Sequence, residues 1–283
     1  MRRREQGQWR DPGTCGIGWV TVVAAVLTVS GCSRLSFVKP DLERKGYEQV
    51  AHQVVVKDNQ EAKGAAGARI QVRRAQELLS GGDLDGASKA ARAAIKADPQ
   101  SGSAHTLLGA VFERLGRADA AGAHYLRATE LAPGSGGVLN NYGAWVCGAG
   151  RAEESLQWFD RALGDRQYRT PAIALANAGA CAEQAGLDAR AERYLGSALD
   201  IDPDNPVALA TVAERAFEAG DAFKARAFSE RRLAAAPPTV KVLTLASQIE
   251  EKLGDRVAAA KYVQQMRAEF PNTGSGTGEN GKQ

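Results

Sequence analysis

The chain has 283 residues, of which 44% are hydrophobic and 24% are charged, and its formal net charge is +3. This composition excludes a disordered chain and a protein with many membrane spans, and it favours a soluble, helix-rich fold. Residues 1–11 contain four arginines and two acidic residues, and the rest of the chain has 32 basic and 31 acidic residues. This near-neutral balance gives no reason to expect nucleic acid as a partner.

The first element in chain order is an uncharged apolar run over residues 16–29, after an arginine-rich segment. It is shorter than the about 20 apolar residues of a membrane-spanning helix, but it has the length of a signal-peptide core. The run ends in Val-Ser-Gly-Cys at residues 29–32, which resembles the lipobox of bacterial lipoproteins. The resemblance implies that residues 1–31 are removed as a signal peptide and that Cys32 is acylated.

The segment before the apolar run is long and contains Glu5 and Asp11, so an ordinary signal peptide or a signal anchor is the alternative. The true start of translation could also lie downstream. Several acyl chains together give stable anchoring where one chain is marginal. Ser33, not Asp, follows Cys32. By resemblance to enterobacterial sorting rules, this implies the outer membrane of a Gram-negative host, with the protein facing the periplasm.

Two further segments carry no repeat. Residues 32–67 are predicted to be a lipidated N-terminus and tether with at most one short helix, and Gly64-Ala65-Ala66-Gly67 is expected to loosen the chain before the repeats. Residues 274–283 are rich in glycine, and we predict a disordered tail there.

Between these segments, prolines recur at a fixed spacing. Pro99 and Pro133 are 34 residues apart, as are Pro203, Pro237 and Pro271, and the one wide gap spans two periods plus two residues. Glycines form a second ladder in the same phase, at Gly82, Gly116, Gly150, Gly186, Gly220 and Gly254. Small residues five positions later form a third, at Ala87, Ala121, Ser155, Ala191, Ala225 and Ala259. A 34-residue period is that of the tetratricopeptide repeat (TPR), which consists of two antiparallel helices, A and B.

The ladders predict an all-α, right-handed superhelix of six TPR helix pairs. Each Gly would end helix A, the small residue would let helix B cross it closely, and Pro would close helix B. The predicted repeats cover residues 68–101, 102–135, 136–171, 172–205, 206–239 and 240–273. The two extra residues lie near residues 164–169, between the third and fourth repeats.

The A helices of a TPR stack line its concave face, where a partner helix or extended peptide can bind. The usual groove positions select nine residues as a candidate binding site: Gly137, Asn140, Ala144, Cys147, Ala176, Ala180, Glu183, Glu214 and Phe217. We expect the middle of this groove to be small and weakly polar and its C-terminal side to be acidic. The alternative is that helix packing alone requires the small residues among them, without any role in binding. The Lys or Arg that some TPR domains use to clamp a partner's C-terminal carboxylate is missing from Gly137, Ala144, Ile173 and Ala176, so that clamp is predicted to be absent.

No catalytic residue, metal site or cofactor is predicted. His105 and His124 lie in one repeat, but nothing nearby supplies further ligands or a nucleophile, and no established catalytic motif occurs. Asp200, Asp202 and Asp204 lack the glycine of a calcium loop, and we interpret them as turn residues.

Two pairs on neighbouring A helices have alternative interpretations. Cys147 and Cys181 could form a disulfide in the periplasm, but packed helix axes lie about 8–10 Å apart and a disulfide needs Cα atoms within about 7 Å. Two buried thiols are therefore the favoured interpretation. Asn141 and Asn177 share one repeat position and are expected to hydrogen-bond to each other.

Four short sequence segments are more specific than the general TPR pattern. They are residues 139–143 (LNNYG) followed by Cys147, residues 168–172 (YRTPA), residues 177–181 (NAGAC) and residues 236–239 (APPT). Together these segments resemble the type IV pilus biogenesis/stability lipoproteins, the PilF/PilW family, over residues 32 to about 272. The sequence departs from that family at Trp145-Val146, where Phe-Leu is expected.

The resemblance implies a pilotin, a non-enzymatic lipoprotein that binds the secretin subunit of the type IV pilus and promotes its outer-membrane localisation and multimerisation. It implies no small-molecule substrate. Two alternatives are a TPR lipoprotein of a tight-adherence (Flp) pilus system and a scaffold that recruits murein hydrolases.

Overall fold

The computed structural model describes the backbone of residues 60–271 and the side chains of residues 63–271. This range contains twelve α-helices and no strand, arranged as a superhelix of six TPR helix pairs. The fold class predicted from the ladders is therefore confirmed. The predicted signal peptide (1–31), Cys32 and the predicted tail (274–283) lie outside the described residues.

Each repeat consists of an A helix followed by a B helix. The A helices are α1 (Gln60–Ser80), α3 (Gly102–Arg114), α5 (Gly136–Gly148), α7 (Pro171–Gln184), α9 (Pro206–Glu218) and α11 (Val240–Leu253). The B helices are α2 (Leu84–Ala97), α4 (Ala118–Leu131), α6 (Ala152–Leu163), α8 (Asp188–Ile201), α10 (Ala222–Ala235) and α12 (Arg256–Glu269).

The glycine ladder ends the A helices as predicted. All six ladder glycines have φ between 69° and 85°, the left-handed region that L-residues with a Cβ rarely adopt. No atom lies within 4 Å of where a Cβ would stand at any of them, so backbone conformation, not space, selects glycine there. In repeats 1, 5 and 6 the next residue is Asp, and its carboxylate accepts a bond from the first turn of the B helix, as Asp83 does from Gly86 N at 2.8 Å.

The other two ladders also behave as predicted. The six small residues are 0–3% exposed, because each lies where a B helix crosses its A helix. The ladder prolines follow the B helices closely: α2 ends at Ala97 before Pro99, and α12 ends at Glu269 before Pro271.

Glycines on three A helices face a large side chain of the B helix at the same crossing. Gly109 lies against Tyr125 in repeat 2, and Gly143 lies against Phe159 in repeat 3. In repeat 4 a Cβ on Gly179 would stand 2.6 Å from Cγ of Leu195. The three large residues are 0–3% exposed, so the missing side chain on one helix makes room for a core residue on the other.

The first helix begins earlier than predicted. Residues 60–67 were assigned to the tether, but they form the first two turns of α1, through both Gly64 and Gly67. A Cβ on Gly64 would lie 2.6 Å from the carbonyl oxygen of Ala97 at the end of α2. Gly64 therefore allows a close helix crossing, and the tether prediction for these residues was wrong.

The irregular step between repeats 3 and 4 has a structural role. Its Asp165 carboxylate accepts a bond from Gly136 N, at the start of α5, at 2.8 Å, and one from Gln167 N at 2.9 Å. Ser135 makes no side-chain cap on α5, so Asp165 supplies that cap from the far end of the same repeat. These backbone bonds lower the pKa of the Asp165 carboxyl.

Candidate partner-binding groove

A cavity on the concave face, which we call the concave groove, has a volume of about 730 Å³. Residues of α5, α7, α9 and α11 line it, together with Arg232 of α10. It contains five of the nine predicted site residues: Ala144, Cys147, Ala180, Glu183 and Glu214. The A helices therefore bring the middle of the predicted set together.

Two predicted residues line smaller cavities on either side. Gly137 lies in a cavity of about 250 Å³ that reaches Val72 of the first repeat. Phe217 lies in one of about 450 Å³ that shares Glu214 and Lys241 with the concave groove. The three cavities follow successive A helices.

Asn140 and Ala176 do not face a groove, and their prediction as surface contacts was wrong. Ala176 is fully buried and packs with Leu195 and Ala198, because its repeat position points between helices. Asn140 is 5% exposed, and its amide oxygen accepts a hydrogen bond from Asn177 Nδ2 at 3.1 Å.

This contact also shows that the predicted hydrogen bond between Asn141 and Asn177 is wrong. Asn141 is exposed and donates from Nδ2 to the carbonyl oxygen of Gly137, one turn earlier on its own helix, at 2.8 Å. The interhelix pair is therefore Asn140–Asn177.

Cys147 and Cys181 form a disulfide with Cα atoms 6.0 Å apart, so the interpretation as two thiols was wrong. The distance between helix axes was the wrong measure, because these residues lie on the facing sides of α5 and α7. Their Cα atoms are closer than the axes and within the usual range for a disulfide. The bond lines the concave groove and links repeats 3 and 4 covalently.

The C-terminal side of the groove is less acidic than expected. Glu183 forms an ion pair with Arg215, and Glu214 forms one with Lys241 at 2.8 Å. Glu218 also lines the groove, but it is exposed, so water screens its charge. The predicted acids are present, and basic residues of the following repeat neutralise two of them.

Sequence reasoning missed Arg232, Thr239 and Val242, which line the groove at the junction of repeats 5 and 6. One signal was available in the sequence. Ala94, Ala128, Ala162 and Ala198 occupy one position of the B helices in repeats 1–4, and repeat 5 places Arg232 there. A departure from a small-residue ladder marks a position where packing alone does not choose the residue.

His105 and His124 pair with each other in repeat 2, away from the concave groove. Their Nδ1 atoms are 3.1 Å apart, and the ring of His124 stacks on that of Phe112. Burial lowers the pKa of both imidazoles, with Arg127 adding to the effect at His105. His105 and Arg92 add to it at His124. Both rings therefore pack against side chains of the same repeat.

The described residues offer neither a membrane span nor a metal centre. Within residues 60–271 no helix combines the length and the apolar character that crossing a bilayer requires. The same range holds no group of three or more His, Cys, Asp or Glu side chains placed to bind a metal ion.

Comparison with known proteins gives four results. The tetratricopeptide repeat family matches residues 72–136. The type IV pilus assembly protein PilF of Pseudomonas aeruginosa is 25% identical over 195 residues, covering 69% of this chain and 77% of PilF. The crystal structure of PilW, a widely conserved type IV pilus biogenesis factor, superposes with a TM-score of 0.62 at 31% identity, covering 72% of this chain and 94% of PilW. The P. aeruginosa PilF structure, 23% identical with a TM-score of 0.61 over 74% of this chain and 95% of that one, shares the fold.

Proposed function

This chain belongs to the PilF/PilW family of type IV pilus biogenesis factors, and from that membership we propose that it is a pilotin for the type IV pilus secretin. In this proposal the protein is lipid-anchored at Cys32 in the outer membrane and faces the periplasm. It binds the secretin subunit, directs it to the outer membrane and promotes its multimerisation. The role is one of binding, and it requires no chemistry.

The observation that carries the proposal is the match to PilW, which covers 72% of this chain and 94% of PilW. Fold likeness alone would support only a generic binding scaffold, since TPR domains serve many functions. The identity of 31% extends over the same span as the superposition. The match therefore supports a shared role in pilus biogenesis and not merely a shared architecture.

The concave groove is the surface that we assign to the secretin. It is about 730 Å³ in volume and lined by small residues such as Ala144 and Ala180. Small side chains let the backbone of a partner approach the A helices closely. Gly137, Cys147, Glu183, Glu214 and Phe217 extend this surface along the neighbouring helices. The disulfide holds two of those helices together before the partner arrives, which lowers the entropy cost of binding.

A pull-down from envelope extracts tests the proposal. The full-length tagged protein should recover the secretin, and deletion of its gene should leave secretin monomers in place of heat-stable multimers. A variant with Ala144→Trp, which fills the groove, should recover less secretin, whereas Ala123→Trp on the exposed side of α4 should behave as the wild type. Recovery of murein hydrolases without secretin, or unchanged multimers in the deletion strain, would overturn the pilotin role.

A further inference from the structure

Arg232 breaks a packing rule that four other repeats obey. At its position on the B helix, repeats 1–4 have alanines that are fully buried: Ala94, Ala128, Ala162 and Ala198. A small residue there lets the next A helix pack closely. Repeat 5 instead buries an arginine, of which only 8% is exposed. Close packing of the next helix therefore does not explain the guanidinium, which instead bonds to the carbonyl groups that follow the last turn of α10.

The charge of Arg232 is not neutralised within residues 63–271. Its Nη1 donates to the carbonyl oxygen of Ala236 at 2.9 Å and its Nη2 to that of Pro237 at 3.3 Å. No carboxylate in this range lies within ion-pair distance of it. Nearby arginines differ, since Arg226 pairs with Glu250 and Arg215 with Glu183.

Such an arrangement is incomplete in electrostatic terms. A guanidinium has five N–H donors, and the two carbonyl bonds leave others without a partner. Carbonyl oxygens satisfy hydrogen-bond geometry, but they carry no full negative charge. A buried charge without a counterion is costly, and buried charges in folded proteins are as a rule paired.

A second polar group lies one turn earlier on α10. Ser229 is 4% exposed, and its hydroxyl has no hydrogen-bond partner among the described residues. Repeats 2–4 fill the same position with Tyr125, Phe159 and Leu195. In those repeats this position faces the A helix of the same repeat, so Ser229 adds a buried polar group inside repeat 5 and not at its junction with repeat 6.

The groove beside Arg232 suits an extended chain. Val207, Ala210 and Val242 give it apolar walls next to the guanidinium. It continues past Glu214 and Lys241 into the adjoining cavity around Phe217. A groove that continues into a second cavity favours a side chain within the peptide, and not a chain terminus, as the complementary group.

We propose that Arg232 binds the carboxylate of an acidic side chain, Asp or Glu, within an extended segment of a protein partner, with apolar residues of that segment against Val207 and Val242. Guanidinium and carboxylate match in geometry and can form two parallel hydrogen bonds. The site differs from a clamp built on A helices, because its cation comes from a B helix. The inference rests on the proposed function only in taking the concave groove as the partner-binding surface.

Three fluorescein-labelled nonapeptides test this by fluorescence polarisation with the full chain. All alternate Val and Ser around a central residue. The first has a central Glu and an amidated C-terminus, the second a central Gln and an amidated C-terminus, and the third a central Gln and a free C-terminal carboxylate. We expect the first to bind about tenfold more tightly than the second, the gain from one charge-assisted hydrogen bond. Equal affinities, no binding by any peptide, or a gain confined to the third would overturn the proposal.

Two variants locate the effect. Arg232→Met keeps the aliphatic stem, removes the charge and should abolish the preference for Glu over Gln. Arg231→Met is the matched control, because Arg231 is exposed on the same helix, contacts Phe228 and Pro203, and should keep the tenfold preference. A preserved preference in Arg232→Met, or its loss in Arg231→Met, would contradict the assignment. The wild-type comparison of peptides decides the question even if Arg232→Met fails to fold.

The peptide result and the secretin pull-down are independent readouts. A clear Glu preference with no secretin recovered would refute the pilotin role and leave the acidic-segment site standing. If wild type and Arg232→Met recover secretin equally and the peptides bind with equal affinity, the acidic-segment site is refuted and the pilotin role stands.

Discussion

The sharpest test of the packing described here is the substitution Gly179→Ala. Gly179 lies in the middle of α7, where the helix crosses α8. A methyl group there would stand 2.6 Å from Cγ of Leu195 and 3.2 Å from its backbone nitrogen. Because one of these atoms is backbone, a side-chain rotation cannot relieve the contact, and the two helices must move apart.

The magnitude follows from two opposing effects. Adding a methyl group to a filled core costs about 1–3 kcal/mol, and replacing Gly by Ala in a helix returns about 1 kcal/mol. With a backbone contact the cost should be near the top of its range, so Gly179→Ala should lower the free energy of unfolding by about 2 kcal/mol. Gly196 of α8 is exposed, with nothing within 4 Å of a Cβ, so Gly196→Ala should raise that free energy by about 1 kcal/mol.

Urea denaturation followed by circular dichroism measures both variants against the wild type. For a domain of this size about 2 kcal/mol corresponds to a melting temperature lower by roughly 4–8 °C. If the contact with Leu195 is the cause, Gly179→Ala combined with Leu195→Ala should lose less than the sum of the two single changes. Equal stability of Gly179→Ala and Gly196→Ala, or strict additivity with Leu195→Ala, would refute the packing argument.

Three further predictions concern separate features. Replacing Cys147 and Cys181 by Ser should lower the free energy of unfolding by about 3–4 kcal/mol, because the disulfide closes a loop of 34 residues; a urea midpoint unchanged from the oxidised wild type would contradict this. The lowered pKa values of His105 and His124 mean that their contribution to stability is complete above pH 6.5 and is lost as pH falls through the folded-state values; melting temperatures from pH 7 to 4.5 should fall less for His105→Gln/His124→Gln than for the wild type. Cys32→Ala should abolish acyl labelling and release the protein into the periplasm, and persistent membrane anchorage would refute the lipid anchor.

Periodicity made most of the fold predictable. A Gly that needs positive φ, such as Gly116, and a small residue at a helix crossing, such as Ala121, are chosen by local geometry that recurs in every repeat. Such requirements appear in the sequence as fixed spacings. The start of α1 escaped the prediction because Gly64 has a different role there, close approach to the end of α2, which spacing does not reveal.

The groove was less predictable, because its properties depend on which side chains meet across helices. The ion pairs of Glu183 and Glu214 involve basic residues 32 and 27 positions later, Arg215 and Lys241, at no common repeat spacing. The asparagine pair and the disulfide likewise join positions that are not equivalent, because their members are 37 and 34 residues apart across a repeat of 36 residues. A contact between helices also explains why this chain has Trp145 where the family is expected to have Phe. The Trp145 ring lies against Gly122 of the preceding repeat, which has no side chain to occupy that space.

The disulfide also has a mechanical consequence. A solenoid that changes its pitch alters the spacing between successive A helices on its inner side, and the bond between Cys147 and Cys181 fixes that spacing between α5 and α7. Within residues 63–271 this is the one disulfide, so between the other neighbouring A helices only noncovalent packing holds the spacing. A partner that widens the superhelix must therefore bend its outer repeats, while the centre keeps its curvature.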